Sequence, residues 1–91
     1  MKATMKNFKE VKENRYEVVQ FDATTLKRTF AYGNLNIMDA TLEVEKNTKN
    51  GFLSMIIPAN YSRNLIRWES NNHSRITIAG IAEILKEEPR E

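Results

Sequence analysis

No cysteine occurs anywhere in these 91 residues, and that absence constrains the fold more than any motif does. A domain this small buries only a little over ~60% of the surface its unfolded chain exposes. Many small domains make up the shortfall with disulfides, a structural metal or a second subunit. Without thiols the disulfide is excluded, and a thiolate metal site with it. What remains is a well-packed monomer or a homo-oligomer, and a homodimer is the expectation. The length suits one domain over 1–91.

A cysteine-free chain also fits a reducing compartment, so the expected location is cytoplasmic. The first nine residues carry charge without the apolar stretch of roughly 7–15 residues that a secretory leader needs. No run approaches the ~18 apolar residues of a membrane span, and the longest centres on Met55-Ile56-Ile57. Neither export nor membrane insertion is expected. Asn occurs ten times, and Lys and Ile eight times each. These are residues of AT-rich codons, which points to a low-GC bacterium or one of its phages or plasmids.

The few glycines (33, 51, 80) and prolines (58, 89) read as punctuation between elements. Residues 4–14 suit a short helix or a free arm, with Thr4 as cap, Lys6/Glu10 and Lys9/Glu13 spaced i,i+4, and an apolar edge of Met5, Phe8 and Val11. Tyr16–Phe21 is rich in β-branched and aromatic residues but keeps to no single parity, which predicts a bulge or cover on both faces. A turn over Asp22–Thr25 leads to a second strand over Leu26–Tyr32, with Leu26, Phe30 and Tyr32 on one face. Ala40–Glu45 alternates apolar and polar without a fault, the signature of a half-buried strand. Phe52–Ile57 is almost wholly apolar and predicts a central strand covered on both faces, joined to the previous one by a hairpin at Asn50-Gly51. The competing reading is a helix over Met38–Thr48 that Asn50-Gly51 ends as a C-cap.

After Pro58, Asn60 suits the cap of a helix on which Tyr61, Leu65 and Trp68 fall at i, i+4, i+7. Ser70–Ser74 reads as a polar loop. A last helix over Thr77–Glu87 places Ile78, Ile81, Ala82 and Leu85 inward, with Gly80 allowing close approach; Arg75–Ile78 is alternatively a short strand before it. Pro89 stops the helix, and residues 88–91 read as an acidic frayed tail. Together these elements predict an α+β fold: a small antiparallel sheet of three to five strands, C-terminal helices packed on one face, and a short N-terminal helix or arm.

Catalysis by side chains needs paired groups with matched roles, and no such pair stands out. The single histidine, His73, lies among Ser and Asn, and Ser62, Ser70 and Ser74 show no nucleophile-turn spacing. Glu43 and Glu45 read as the solvent face of a strand and not as ligands of a hard cation. Gly33-Asn34-Leu35-Asn36 has one glycine where phosphate-binding loops need several. No enzyme, cofactor or metal is expected.

The segment 60–75 differs from the rest. It holds three arginines (Arg63, Arg67, Arg75), no lysine, four asparagines, three serines, Tyr61 and Trp68. On a helix Arg63 and Arg67 share a face, with Asn60 and Asn64 alongside. Arginine and asparagine fork onto phosphates and base edges while aromatics stack; arginine, tyrosine and tryptophan are equally the residues of protein–protein hot spots. The basic N-terminal arm, with Lys6 and Lys9 among its lysines, favours nucleic acid, although Glu10, Glu13 and Glu17 dilute it. Residues 1–75 carry twelve Lys and Arg against eight Asp and Glu, whereas 76–91 are net acidic. The expectation is a small non-catalytic regulatory protein that binds nucleic acid through Asn60, Arg63, Asn64, Arg67, Trp68, Arg75, Lys6 and Lys9. The alternative is an inhibitor or adaptor that binds another protein.

Overall fold

In the computed structural model, which describes residues 15–90, the chain runs β1 (Tyr16–Phe21), β2 (Arg28–Leu35), α1 (Ile37–Lys49), β3 (Leu53–Pro58), a 3-10 turn over Ala59–Tyr61, α2 (Ser62–Asn72) and α3 (Ile78–Ile84). The fold is α+β. The helix or arm expected over 4–14 lies outside the described residues.

The three strands form one antiparallel sheet in the order β2-β1-β3. The β1–β2 hairpin turns where expected: Asp22 Oδ1 accepts from the N–H groups of Thr24 (2.7 Å) and Thr25 (2.8 Å). Those two N–H groups, Thr25 first and Thr24 second, hold the Asp22 carboxyl below its ordinary value. β1 is the central strand. Its mixed parity has the two causes read from sequence, since its register with β2 shifts twice and both of its faces are covered.

The segment Ala40–Glu45 is helical, against the strand its alternation predicts. Both β2 and β3 run antiparallel to β1, so they run parallel to each other, and a two-residue hairpin cannot join them. α1 supplies the crossover. Its start is capped by Asn36, whose Oδ1 accepts from Asp39 N at 2.8 Å. Asp39 in the first turn and Lys46 and Lys49 in the last complement the helix dipole. Gly51, at φ +86°, ends it. Thr41 and Thr48 turn their hydroxyls back onto the carbonyls of Ile37 and Val44, which accommodates β-branched residues in the helix.

β3 is an edge strand and not the central one that its apolar run predicts. It pairs only with β1. Its apolar character comes from cover above and below: Met55 and Ile57 face the main core, while Ile56 and Ser54 share the opposite face with their partners Val18 and Gln20. On that opposite face α1 is pinned by a polar chain. Thr29 Oγ1 donates to Gln20 Oε1 (2.6 Å), Gln20 Nε2 to Asn47 Oδ1 (2.7 Å), and Asn47 Nδ2 to Ser54 Oγ (2.7 Å). Asn47 is buried, so each of its two bonds removes a desolvation cost of about 1–3 kcal/mol.

The main core lies between the sheet and the two C-terminal helices. Val19, Phe21, Ile57, Leu65, Ile76, Ile81 and Ile84 are buried there, with Met55, Tyr61, Trp68 and Ile78 packed around them. α2 keeps its expected apolar stripe. Its cap does not fall at Asn60, which sits inside the 3-10 turn, and its end reaches into the expected loop, to Asn72. α3 buries Gly80, Ile81 and Ile84, leaving Ala82 and Leu85 exposed. The reason is steric: a Cβ at Gly80 would lie 2.8 Å from the Trp68 ring. Only glycine admits the indole there, so Gly80 must face α2, which turns Ala82 and Leu85 outward. The two readings of 75–78 are both partly realised. Arg28 N donates to Ile76 O (2.8 Å) in an isolated bridge, and Thr77 then caps α3 through Gly80 N (3.0 Å). Among the described residues no helix is long and apolar enough to cross a membrane.

Candidate nucleic-acid interface

α2 presents its outward side as Arg63, Ile66, Arg67 and Ser70, all exposed. Arg63 and Arg67 stand one turn apart, as the i,i+4 spacing requires. Asn60 is exposed in the turn just before the helix. Arg63 and Arg67 fall where the sequence puts them, whereas Asn60 is exposed but lies in the 3-10 turn and does not cap the helix.

Asn64 does not. It is 2% exposed and its amide is spent on the chain that follows α3. Its Nδ2 donates to Glu88 O (3.1 Å) and Glu87 Oε1 (3.3 Å), and its Oδ1 accepts from Arg90 N (2.8 Å). Tyr61 adds a second tie, its hydroxyl donating to Glu87 O at 2.9 Å. Asn64 is thus a structural clamp, because a buried amide must find partners, and the partners here are the backbone of Glu88 and Arg90 and the Glu87 carboxylate.

The clamp has a consequence for the site. It brings Arg90 beside Arg67, and both line a crevice of about 100 Å³ together with Trp68, Asn71, Asn72 and Glu87. Arg90 sits in a stretch whose composition is acidic, and nothing local in the sequence marks it as a partner of α2. Among the described residues neither Arg63, Arg67 nor Arg90 has a carboxylate within salt-bridge distance. Glu87 is the acidic neighbour in the crevice wall.

Trp68 is half-buried against Gly80, and its Nε1 donates to Glu83 Oε2 at 2.8 Å. The indole therefore belongs largely to the α2–α3 contact. Arg75 lies beyond the end of α2 and does not line the crevice; its Nη1 reaches Thr29 O on β2 at 3.4 Å. Lys6 and Lys9 lie outside the described residues. Among the described residues an aromatic pair lies elsewhere, made of exposed Phe30 and half-buried Tyr32. The two rings lie with centroids 4.7 Å apart and planes tilted by 39°, in register with Gln20 and Val18 on the α1 face of the sheet.

The carboxylates and the histidine are dispersed. His73 is exposed in the left-handed conformation that ends α2 (φ 50°). Glu17, buried on β1, accepts from Ser62 Oγ at 2.6 Å. Among the described residues no three potential ligands gather into a metal site. Comparison with known proteins adds no relative: no family model, no curated protein and no solved structure matches this chain.

Proposed function

We propose that the protein is a small non-catalytic regulatory protein that holds the sugar-phosphate backbone of a nucleic acid against the outward side of α2. Arg63, Arg67 and Arg90 make the phosphate contacts, Asn60 and Asn71 add amide donors, and Arg75 with the lysines Lys6 and Lys9 extend the basic surface. One observation carries the reading. Arg63 and Arg67 stand one turn apart on α2 and Arg90 lines the same crevice as Arg67; all three are exposed, with no carboxylate within salt-bridge distance among the described residues. Guanidinium forks match phosphate oxygens bidentately and stay charged at any working pH.

The test is fluorescence anisotropy with mixed-sequence DNA and RNA oligonucleotides across a salt series. Each neutralised phosphate contributes a slope of about −0.9 in log affinity against log salt on duplex DNA, or about −0.7 on single strands. The Arg63→Ala/Arg67→Ala/Arg90→Ala variant is expected to bind more weakly on every sequence and to flatten that slope by roughly one unit per lost contact. Absence of binding at low salt overturns the reading.

A protein partner is the second reading, and Ile66 favours it. This side chain is 63% exposed in the middle of the arginine side, where it does nothing for a phosphate but suits the centre of a protein contact. Ile66→Ser separates the two readings, since only protein binding suffers from that change.

A further inference from the structure

We infer that Phe30 is a stacking platform for an unpaired base, so that the nucleic acid held by α2 is single-stranded. The inference rests on the backbone-binding reading above and names its substrate class. Phe30 is 52% exposed on a sheet face that α1 covers elsewhere. The cause is the placement of α1, which as the crossover packs chiefly against β3 and β1 and least against β2. Apolar side chains exposed singly are ordinary, but this ring has both a support and a charged rim. Tyr32, two residues on along the same face, supports it with 4.7 Å between centroids and 39° between planes. That contact restricts Phe30 before any ligand arrives, so less rotamer freedom is lost on binding.

The rim supplies the charge. Arg75 is exposed, and its Nη1 donates to Thr29 O at 3.4 Å, which holds the guanidinium beside the residue that precedes Phe30. This uses one of the five N–H donors of an arginine and leaves the others for a phosphate. Lys27 is exposed at the same end of β2, where its backbone is bridged to Thr77. Glu69 feels the Arg75 charge but is already engaged by Arg28 and by Ile76 N. A cation on the backbone beside an aromatic ring for the base is the arrangement that single strands require.

Arg75 also joins the platform to the arginine side of α2. The crevice wall ends on Asn71 and Asn72, and Arg75 follows Asn72 after at most about 11 Å of extended chain. β2 is an edge of the sheet. A strand leaving Arg67 and Arg90 therefore rounds that edge at Arg75 and reaches the face that carries Phe30. A duplex cannot use the ring, because its bases are paired and stacked within the helix. A protein is the poorer occupant. Two aromatic side chains bury about 150–250 Å² each, well short of the roughly 800 Å² that each partner of a standard protein contact buries.

The experiment is fluorescence anisotropy of the full chain with labelled probes of equal length: a mixed-sequence DNA strand, the RNA strand of that sequence, the DNA duplex, and an abasic DNA strand that keeps the sugar-phosphate backbone without bases. Circular dichroism checks the fold of each variant. The native chain should bind the abasic strand about fivefold or more less tightly than the DNA strand, as the loss of one stacked base requires. Phe30→Ala should lower affinity for the DNA and RNA strands to the abasic level and leave the abasic strand and the duplex unchanged, whereas Phe30→Trp should retain the difference. Should Phe30→Ala disturb the fold, the abasic comparison and Phe30→Trp still decide the outcome. Equal affinity for the DNA strand and the abasic strand, or indifference to Phe30→Ala, overturns the platform and leaves the phosphate contacts of α2 standing. Absence of binding to every probe at low salt overturns both. A Phe30→Ala variant that keeps every affinity but loses self-association in sedimentation assigns the ring to a protein contact and overturns the inference.

Discussion

Arg28 on β2 and Glu69 on α2 face each other in a two-pronged ion pair, Nε to Oε2 at 2.6 Å and Nη2 to Oε1 at 3.1 Å. Glu69 Oε2 also accepts from Ile76 N at 2.9 Å. One carboxylate thereby joins the sheet edge, α2 and the entry to α3. Burial acts to raise the Glu69 carboxyl, but the Arg28 hydrogen bonds, the Ile76 N–H and the charges of Arg28 and Arg75 outweigh it, and the group lies below its ordinary value.

The direction of that shift gives a pH dependence. A carboxyl lowered in the folded state is protonated first in the unfolded chain, so its stabilisation is complete above the ordinary glutamate value of 4.5 and is lost as the pH falls from there through the folded value. Urea midpoints between pH 6 and pH 3 are expected to fall more steeply in the native chain than in Glu69→Gln. Asp22, also lowered, titrates in both proteins, so the difference between the two curves isolates Glu69. Parallel curves would mean that the pair contributes nothing.

Gly80→Ala tests the α2–α3 contact. The added methyl would lie 2.7 Å from Ile76 Cγ1 and 2.8 Å from the indole, and a close-packed interior cannot absorb such an approach without movement. The expected loss is about 1–3 kcal/mol. It should be accompanied by a change in Trp68 fluorescence, because the same ring that is displaced reports the event. Chemical denaturation followed at the tryptophan emission measures both.

Asn47→Leu tests the polar chain beneath α1. The substitution strips Gln20 Nε2 of its acceptor and Ser54 Oγ of its donor, both in a part-buried setting. A loss of about 2–4 kcal/mol is expected from the two stranded groups together. The same substitution at exposed Thr48 should change little. Equal thermal midpoints for Asn47→Leu and the native chain would remove the chain's claim to hold the helix.

Much of this architecture is legible in local patterns, and the exceptions share a cause. The β1–β2 hairpin follows from its vocabulary and the Asp22 turn, and α2 from the spacing of Tyr61, Leu65 and Trp68. Residues 40–45 are different. Six alternating residues fit a strand, but they equally give a helix with Ala40 and Val44 one turn apart on its inner side. What decides between them is the direction of β3 relative to β2, and no window of six residues contains that information. The candidate site divides in the same way. Arg63 and Arg67 are adjacent by helical spacing alone. Arg90 joins them through long-range bonds, among them its N–H to Asn64, twenty-six residues earlier, a bond that also removes Asn64 from the surface where spacing had put it.

That bond makes a prediction about binding as well as stability. Asn64→Ala leaves Arg90 N without its partner and removes the tie of the chain from Glu87 onward to α2, leaving the tie to the preceding 3-10 turn through the Tyr61 hydroxyl. The stability cost should be about 1–3 kcal/mol, as for any buried polar partner removed. If the clamp positions Arg90 beside Arg67 for a phosphate, then Arg90→Ala should weaken nucleic-acid affinity in the native background and do markedly less in the Asn64→Ala background. A double-mutant cycle by anisotropy at fixed salt measures that coupling, and a value of about 0.5 kcal/mol or more counts as real. Strictly additive losses would show that Arg90 acts wherever the tail happens to lie, and that Asn64 secures the fold without arranging the site.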